Sequence, residues 1–191
     1  MSKTIKQLTE TTTLNTYDLF HIVDVDNDQD KKIKAANLWS GKPYGELSVT
    51  ANTTNDTPIA VSGTDYNITN GALTTTAGEL KGFTHDSANG RLVYTGEEDI
   101  TVLVNMSITA YMNAVGGSYL CAFSIFQDGA KITKAEFSDA FTGTGVAQFR
   151  NNSLTCILTM SQNSYIELYA ANDTDTTDIM VYNLNMNVTC L

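Results

Sequence analysis

The chain of 191 residues is short of positive charge. It holds 11 Lys and Arg against 21 Asp and Glu, a formal charge of −10. That balance repels phosphate backbones and anionic lipid surfaces and offers no basic stripe to overcome the repulsion, which argues against nucleic-acid binding. Long apolar runs are missing too. The opening residues MSKTIKQLTETTTL contain no apolar signal segment, and no stretch approaches the roughly 18 apolar residues of a spanning helix. Neither secretion through a signal peptide nor membrane insertion is expected. Cysteine is sparse: Cys121, Cys156 and Cys190 are odd in number, widely spaced and each set in a strand-like apolar run. Disulfide scaffolds carry denser, even sets, so buried free thiols are expected. The last absence is helical period, for no convincing ten-residue amphipathic helix follows Gly45. With 42% hydrophobic residues the composition is nevertheless that of a folded globular protein.

What the chain has instead is alternation. In DIMVYNLNMNVTCL, Met180, Tyr182, Leu184, Met186, Val188 and Cys190 alternate with Asn183, Asn185, Asn187 and Thr189, and Ile100, Val102, Val104, Met106 and Ile108 alternate with Thr101, Asn105, Ser107 and Thr109. Successive strand side chains point to opposite faces of a sheet, so both segments read as strands with one dry face. Between Gly, Asn and Asp turns, strands are predicted over residues 46–51, 57–61, 80–84, 91–95, 100–112, 118–127, 130–137, 146–149, 154–160, 165–171 and 179–190. Asn89-Gly90 and Asp128-Gly129 mark two tight hairpins. So many strands without helices predict an all-β, two-sheet antiparallel sandwich or barrel, because each sheet must bury its apolar face against another layer.

Some segments are apolar on both sides. Tyr119 to Phe126 is dry on both faces, Ile179 and Val181 are apolar on the otherwise wet face of the last strand, and Tyr165 and Tyr169 lie opposite Ile166 and Leu168. A strand dry on both faces needs a third layer, most simply a second copy of the chain, or else a loop of its own chain. On the first reading, Tyr119, Phe123, Ile125, Tyr165, Tyr169, Ile179 and Val181 are candidate subunit contacts.

The chain changes character near Gly41-Lys42-Pro43-Tyr44-Gly45. Before this 41–45 linker, residues 17–25 read as a strand, 26–30 as a polar turn, 31–34 as a return strand and 35–39 as one helical turn. About 40 residues rarely bury enough surface to fold alone, so residues 1–40 read as an attachment module that docks on something larger. Its apolar residues Leu19, Phe20, Ile22, Val23, Leu38 and Trp39 are the candidate docking contacts. Residues 46–191 form the head.

No catalytic, cofactor or metal constellation emerges. Asp24-x-Asp26-x-Asp28-x-Asp30 imitates the start of a calcium loop, but Gln29 stands at the sixth position and Ala35 at the twelfth, where Gly and a bidentate Glu are needed. His21 and His85 fall in unrelated segments. Glu97-Glu98-Asp99 sit on one turn and cannot face each other across a sugar, and Gly116-Gly117 and Gly143-Thr144-Gly145 lack the strand-to-helix setting of a phosphate loop.

The segments Gly90–Gly96, the strand from Ile100, Phe123–Gly129, Leu158–Asn172 and the final strand together resemble the tumour necrosis factor/C1q-like jelly roll, with Asn163-Ser164 where Gly-Asp is usual. The resemblance covers roughly residues 45–191 and implies a compact homotrimer packed around a threefold axis through one sheet. Ile5-x-x-Leu8, the Thr-rich spacer, Asp18–Asp24, Lys32-Ile33-Lys34 and Ala36-Asn37-Leu38 look like the N-terminal attachment segment of tailed-phage fibres and other virion appendages. Together the two resemblances imply a non-enzymatic virion protein assembled in the host cytoplasm. It would be a short fibre or knob bound to other virion proteins through residues 1–40, on the capsid in preference to the tail, since no repetitive shaft joins the two parts. The competing expectation is an adhesin that reads host-surface glycan through loops 114–118, 141–145 and 172–177.

Overall fold

The computed structural model describes residues 19–24, 29–34, 41–112, 116–142 and 148–191. The chain divides into two compact units, Met1–Gly41 and Lys42–Leu191. In the first, β1 (Leu19–Asp24) pairs antiparallel with β2 (Gln29–Lys34), Phe20 opposite Ile33 and Ile22 opposite Lys31. The helical turn predicted over 35–39, with Leu38 and Trp39, lies outside the described residues.

The second unit contains β3 (Tyr44–Val49), β4 (Tyr66–Asn67), β5 (Thr76–Lys81), β6 (Phe83–Asp86), β7 (Arg91–Tyr94), β8 (Ile100–Met112), β9 (Ser118–Gln127), β10 (Ala130–Thr142), β11 (Arg150–Met160), β12 (Tyr165–Asn172) and β13 (Ile179–Cys190). They form two antiparallel sheets. One runs β11-β8-β13-β3-β5 and the other β10-β9-β12-β7-β6, with β4 added to β12. From β7 to β13 the chain passes between sheets at every connection except the β9–β10 hairpin, which is a jelly-roll path. The hairpin turns on Asp128 (φ 53°) and Gly129 (φ 77°), the paired positive φ values that a tight two-residue turn demands.

Period-two alternation places the core between the layers. Val102, Val104, Met106 and Ile108 of β8, Leu184, Met186 and Val188 of β13 and Leu47 and Val49 of β3 are buried from one sheet. Cys121, Phe123 and Ile125 of β9, Ile166, Leu168 and Ala170 of β12 and Leu92 and Tyr94 of β7 meet them from the other. Burial of each large apolar side chain stabilises by about 1.5–3 kcal/mol, which is why alternation dictates both the register and the pairing of the sheets.

Several predicted strands differ from those observed. The strand predicted at 80–84 is two, because Gly82 adopts φ +68° and lets the chain leave β5 in one sheet for β6 in the other. At 57–61 there is a single bridge, Thr57 to Ile179, and residues 148–149 are not strand. β3 begins at Tyr44, inside the predicted linker, and β10 continues past a register shift to Thr142.

The two-sided dryness of β9 has its source in the same chain. Tyr119, Phe123 and Ile125 are buried in the core, so they offer no surface to a second copy. On the outer face, Phe126 stacks on Tyr169 with ring centroids 3.9 Å apart, and the Ser124 hydroxyl donates to Glu136 at 3.0 Å. Lys131 of β10 bonds Glu136 and reaches Asp65 at 3.0 Å, tying the segment that leads into β4 to the sheet. Ile179 and Val181 are likewise fully buried, with Thr57 bonded to Ile179 and the Asn52 side chain to the Val181 carbonyl. Tyr119, Phe123 and Ile125 are thus buried against the facing sheet, and Ile179 and Val181 reach the same core because a register shift between Val181 and Asn183 reverses the alternation of β13. This removes all five from the candidate contacts; Tyr165 and Tyr169 are half-buried.

Candidate functional site

β12 changes neighbour along its length. Tyr165 and Ile166 pair with Val93 and Leu92 of β7, whereas Tyr169 and Ala170 pair with Asn67 and Tyr66 of β4. At the change, alternation turns Leu168 into the core and Glu167 to the outer face. Strands on either side enclose that carboxylate, and Glu167 is 0% exposed. A charge so buried persists only when it is paired and hydrogen-bonded. Arg91 Nε donates to Glu167 Oε2 at 2.8 Å, Asn67 Nδ2 donates to the same oxygen at 2.9 Å, and the Tyr169 hydroxyl donates to Oε1 at 3.3 Å.

Each partner is fixed in turn. The Arg91 guanidinium lies 4.2 Å over the Tyr165 ring, and the hydrogen bond to Glu167 holds its pKa above the usual arginine value. Asn67 Oδ1 accepts from the Thr69 amide at 2.8 Å and the Thr69 hydroxyl at 2.7 Å, and its Nδ2 also donates to the Asn89 carbonyl. Burial pushes the Tyr169 hydroxyl above the ordinary tyrosine pKa. Above this base lies an open groove of about 480 Å³, walled by Asp65, Tyr66, Asn67, Thr69, Asn70, Ala88, Asn89, Arg91 and Tyr169.

Other polar groups serve the fold. Thr75 Oγ1 lies 2.7 Å from His85 Nε2, and burial lowers the His85 pKa. Asn172, fully buried, ties the loop after β12 by bonding Asp175, the Thr177 carbonyl and the Thr174 amide, so the predicted loop 172–177 is fastened to itself. Residues 113–115 and 143–147 of the other two loops lie outside the described residues. The cysteines are free; Cys190 is half-buried, and burial pushes the Cys121 thiol up to about 12, far from the thiolate that nucleophilic chemistry needs. Among the described residues there is no group of three or more His, Cys, Asp or Glu placed to hold a metal ion.

Asp56 is a point of electrostatic cost. Its Oδ1 is buried without a partner, and burial, then the neighbouring Asp178 charge, raise its pKa above 3.8. A carboxyl easier to protonate folded than unfolded contributes stability below its unfolded pKa and loses it as pH rises through the folded value. Asp56→Asn is therefore expected to be more stable than the parent at pH 7 and to lose that advantage below pH 3.8. Because Asp56 is partly exposed, the gain should stay below about 1 kcal/mol, read from urea midpoints across the pH range.

Sequence reading did not single out the Glu167 cluster. The available signal was that Glu167 is the sole charged residue in β9 and β12. Its partners stand 76 and 100 residues away along the chain, where no local pattern could join them.

No family model and no curated protein matches the chain. Among solved structures, the PRD1 vertex protein P5 is similar with a TM-score of 0.44 and 13% identity, over 79% of this chain and 98% of that one. A crystal structure of murine APRIL at pH 5.0 is similar with a TM-score of 0.45 and 9% identity, over 78% of this chain and 99% of that one.

Proposed function

We propose that this protein is a non-enzymatic phage virion component, a short trimeric fibre or knob held to the particle through residues 1–40, with the capsid favoured over the tail. In this reading the jelly roll is displayed outward. The outward face of the five-stranded sheet carries the proposal. Across β11, β8 and β13 its positions are Asn, Ser, Thr, Leu103 and Ile157, with no charge, in a chain of formal charge −10. Rows such as Thr155-Asn105-Asn187 and Ser153-Ser107-Asn185 run straight across the strands, and hydrogen bonds from Thr155 to Asn105 and from Thr109 to Asn151 already satisfy several of these groups.

Apolar side chains lie at both ends of this face. Ile157, Leu103, Thr189 and Tyr44 share a row at one end, Ile157 49% and Tyr44 40% exposed. At the other, Phe149 packs edge-on against Tyr111 and Tyr182. Across β11, β8 and β13 this face desolvates no ion, and its apolar margins suit a second and third copy of the chain. Glu46 of β3, which accepts from Asn185, borders it. The proposed contact thus moves from β9 to the opposite sheet.

Two measurements test the reading. Light scattering should report a trimer at micromolar concentration, and Ser107→Glu, which sets like charges against one another in the contact, should shift it to single chains because such juxtapositions cost several kcal/mol. A parent chain that is stable and single at the same concentration would refute the trimer. Immunogold labelling of purified particles should place the protein on the capsid; tail labelling would favour the adhesin, and absence from particles would end the virion reading.

A further inference from the structure

We propose that the groove above Glu167 is a binding site for a neutral saccharide. Tyr66 and Tyr169 give it aromatic walls, the side-chain type that meets the C–H faces of a sugar ring, although the Tyr169 hydroxyl is held by Glu167 and one face of its ring by Phe126. Asn70, Asn89 and Arg91 add planar amide and guanidinium groups to the rim. Among the described residues, Arg91 bonds to protein only through Nε, so its terminal nitrogens keep their donors for a ligand.

The site is ordered before any ligand arrives. Glu167 holds Arg91, Asn67 and Tyr169 together, and Thr69 and the Asn89 carbonyl fix both ends of the Asn67 amide. Binding therefore freezes few side chains, and this is how a shallow site of weak contacts gains affinity. Enclosed apolar cavities take compact small molecules. An open trough with polar rims suits one or two residues of a longer glycan.

Charge selects the class. Both cations near the groove are already engaged, Arg91 by Glu167 and Lys131 by Asp65 and Glu136, and Asp86 adds a further carboxylate bonded to Asn89. The four carboxylates outnumber the two cations, which disfavours sialylated, uronic or phosphorylated sugars. The groove lies on the outer face of the six-stranded sheet, opposite the face proposed for self-association, and every wall comes from one chain. The site thus stands whether or not the chain trimerises; a trimer would present three copies to a polymeric glycan and gain avidity.

The test is a glycan array of neutral and acidic oligosaccharides probed with the full chain, followed by titration of the strongest neutral hit. Neutral glycans should bind in the micromolar to millimolar range, with acidic ones silent. Ala88→Trp, which fills the groove from an exposed turn without removing a hydrogen bond, should weaken binding at least tenfold, with Asn70→Trp on the rim used if the first variant does not fold. Glu97→Trp in the exposed turn after β7, outside both the groove and the proposed subunit contact, should leave affinity unchanged. Silence toward all neutral glycans, binding confined to charged ones, or affinity indifferent to the groove variants would each overturn the assignment. Because the readout is binding by the isolated chain, its failure is distinct from failure to find the protein on particles.

Discussion

Glu167→Ala is expected to lower the stability of the second unit by about 1–3 kcal/mol, the cost of leaving the partners of an enclosed carboxylate unsatisfied, since the Arg91 side chain itself stays 29% exposed. The substitution removes an enclosed carboxylate and strands its partners. Arg91 loses its acceptor, Asn67 Nδ2 keeps only the Asn89 carbonyl, and the Tyr169 hydroxyl is left without its bond. For a unit of this size the loss corresponds to a fall in Tm of about 5 °C. The double variant Glu167→Leu/Arg91→Met should recover much of it, because it removes the desolvated carboxylate together with the cation that pairs with it. Thermal and urea unfolding of the three proteins complete the cycle. A single variant that costs less than about 1 kcal/mol would show that the cluster behaves as a solvated surface pair.

Phe123→Ala should cost more, and for a different reason. Phe123 is fully buried, stacks on Phe137 with centroids 5.3 Å apart and meets Phe141 at 6.4 Å. Truncating such a ring removes its transfer energy and leaves a cavity that close-packed neighbours refill only in part, a loss of about 3–5 kcal/mol. The urea midpoint should fall by the same amount at low and high protein concentration, because the ring faces the core of its own chain. Had it been a subunit contact, the loss would grow on dilution and the oligomeric state would change. This concentration series separates the two origins of a dry strand face.

That distinction marks where the sequence was readable. The strands at 100–112, 118–127 and 179–190 were predicted with the bounds that the structure gives. The first and most of the last were legible because alternation can be satisfied in one way only, and 118–127, which does not alternate, because Gly116-Gly117 and Asp128-Gly129 bound it. The paired positive φ values at Asp128 and Gly129 were legible from the dipeptide. The crossing at Gly82 was not, since a glycine between two extended segments does not say that the second will join another sheet. For β9, composition showed that both faces are dry but not what covers them. The cover is held by Lys131 and Asp65, 66 residues apart in sequence. The groove was hidden for the same reason: Arg91, Asn67 and Glu167 come from three strands, each unremarkable alone.

The neutral face of the five-stranded sheet has a consequence for how copies of the chain meet. Because three neighbouring strands contribute no ion there, the excess of acid is displaced to the rest of the surface, and the molecule is electrically lopsided. Two copies tumbling together in solution repel one another least when these faces point inward. Long-range repulsion thereby acts as an orientational filter on collision, strongest at low ionic strength, where the screening length is greatest.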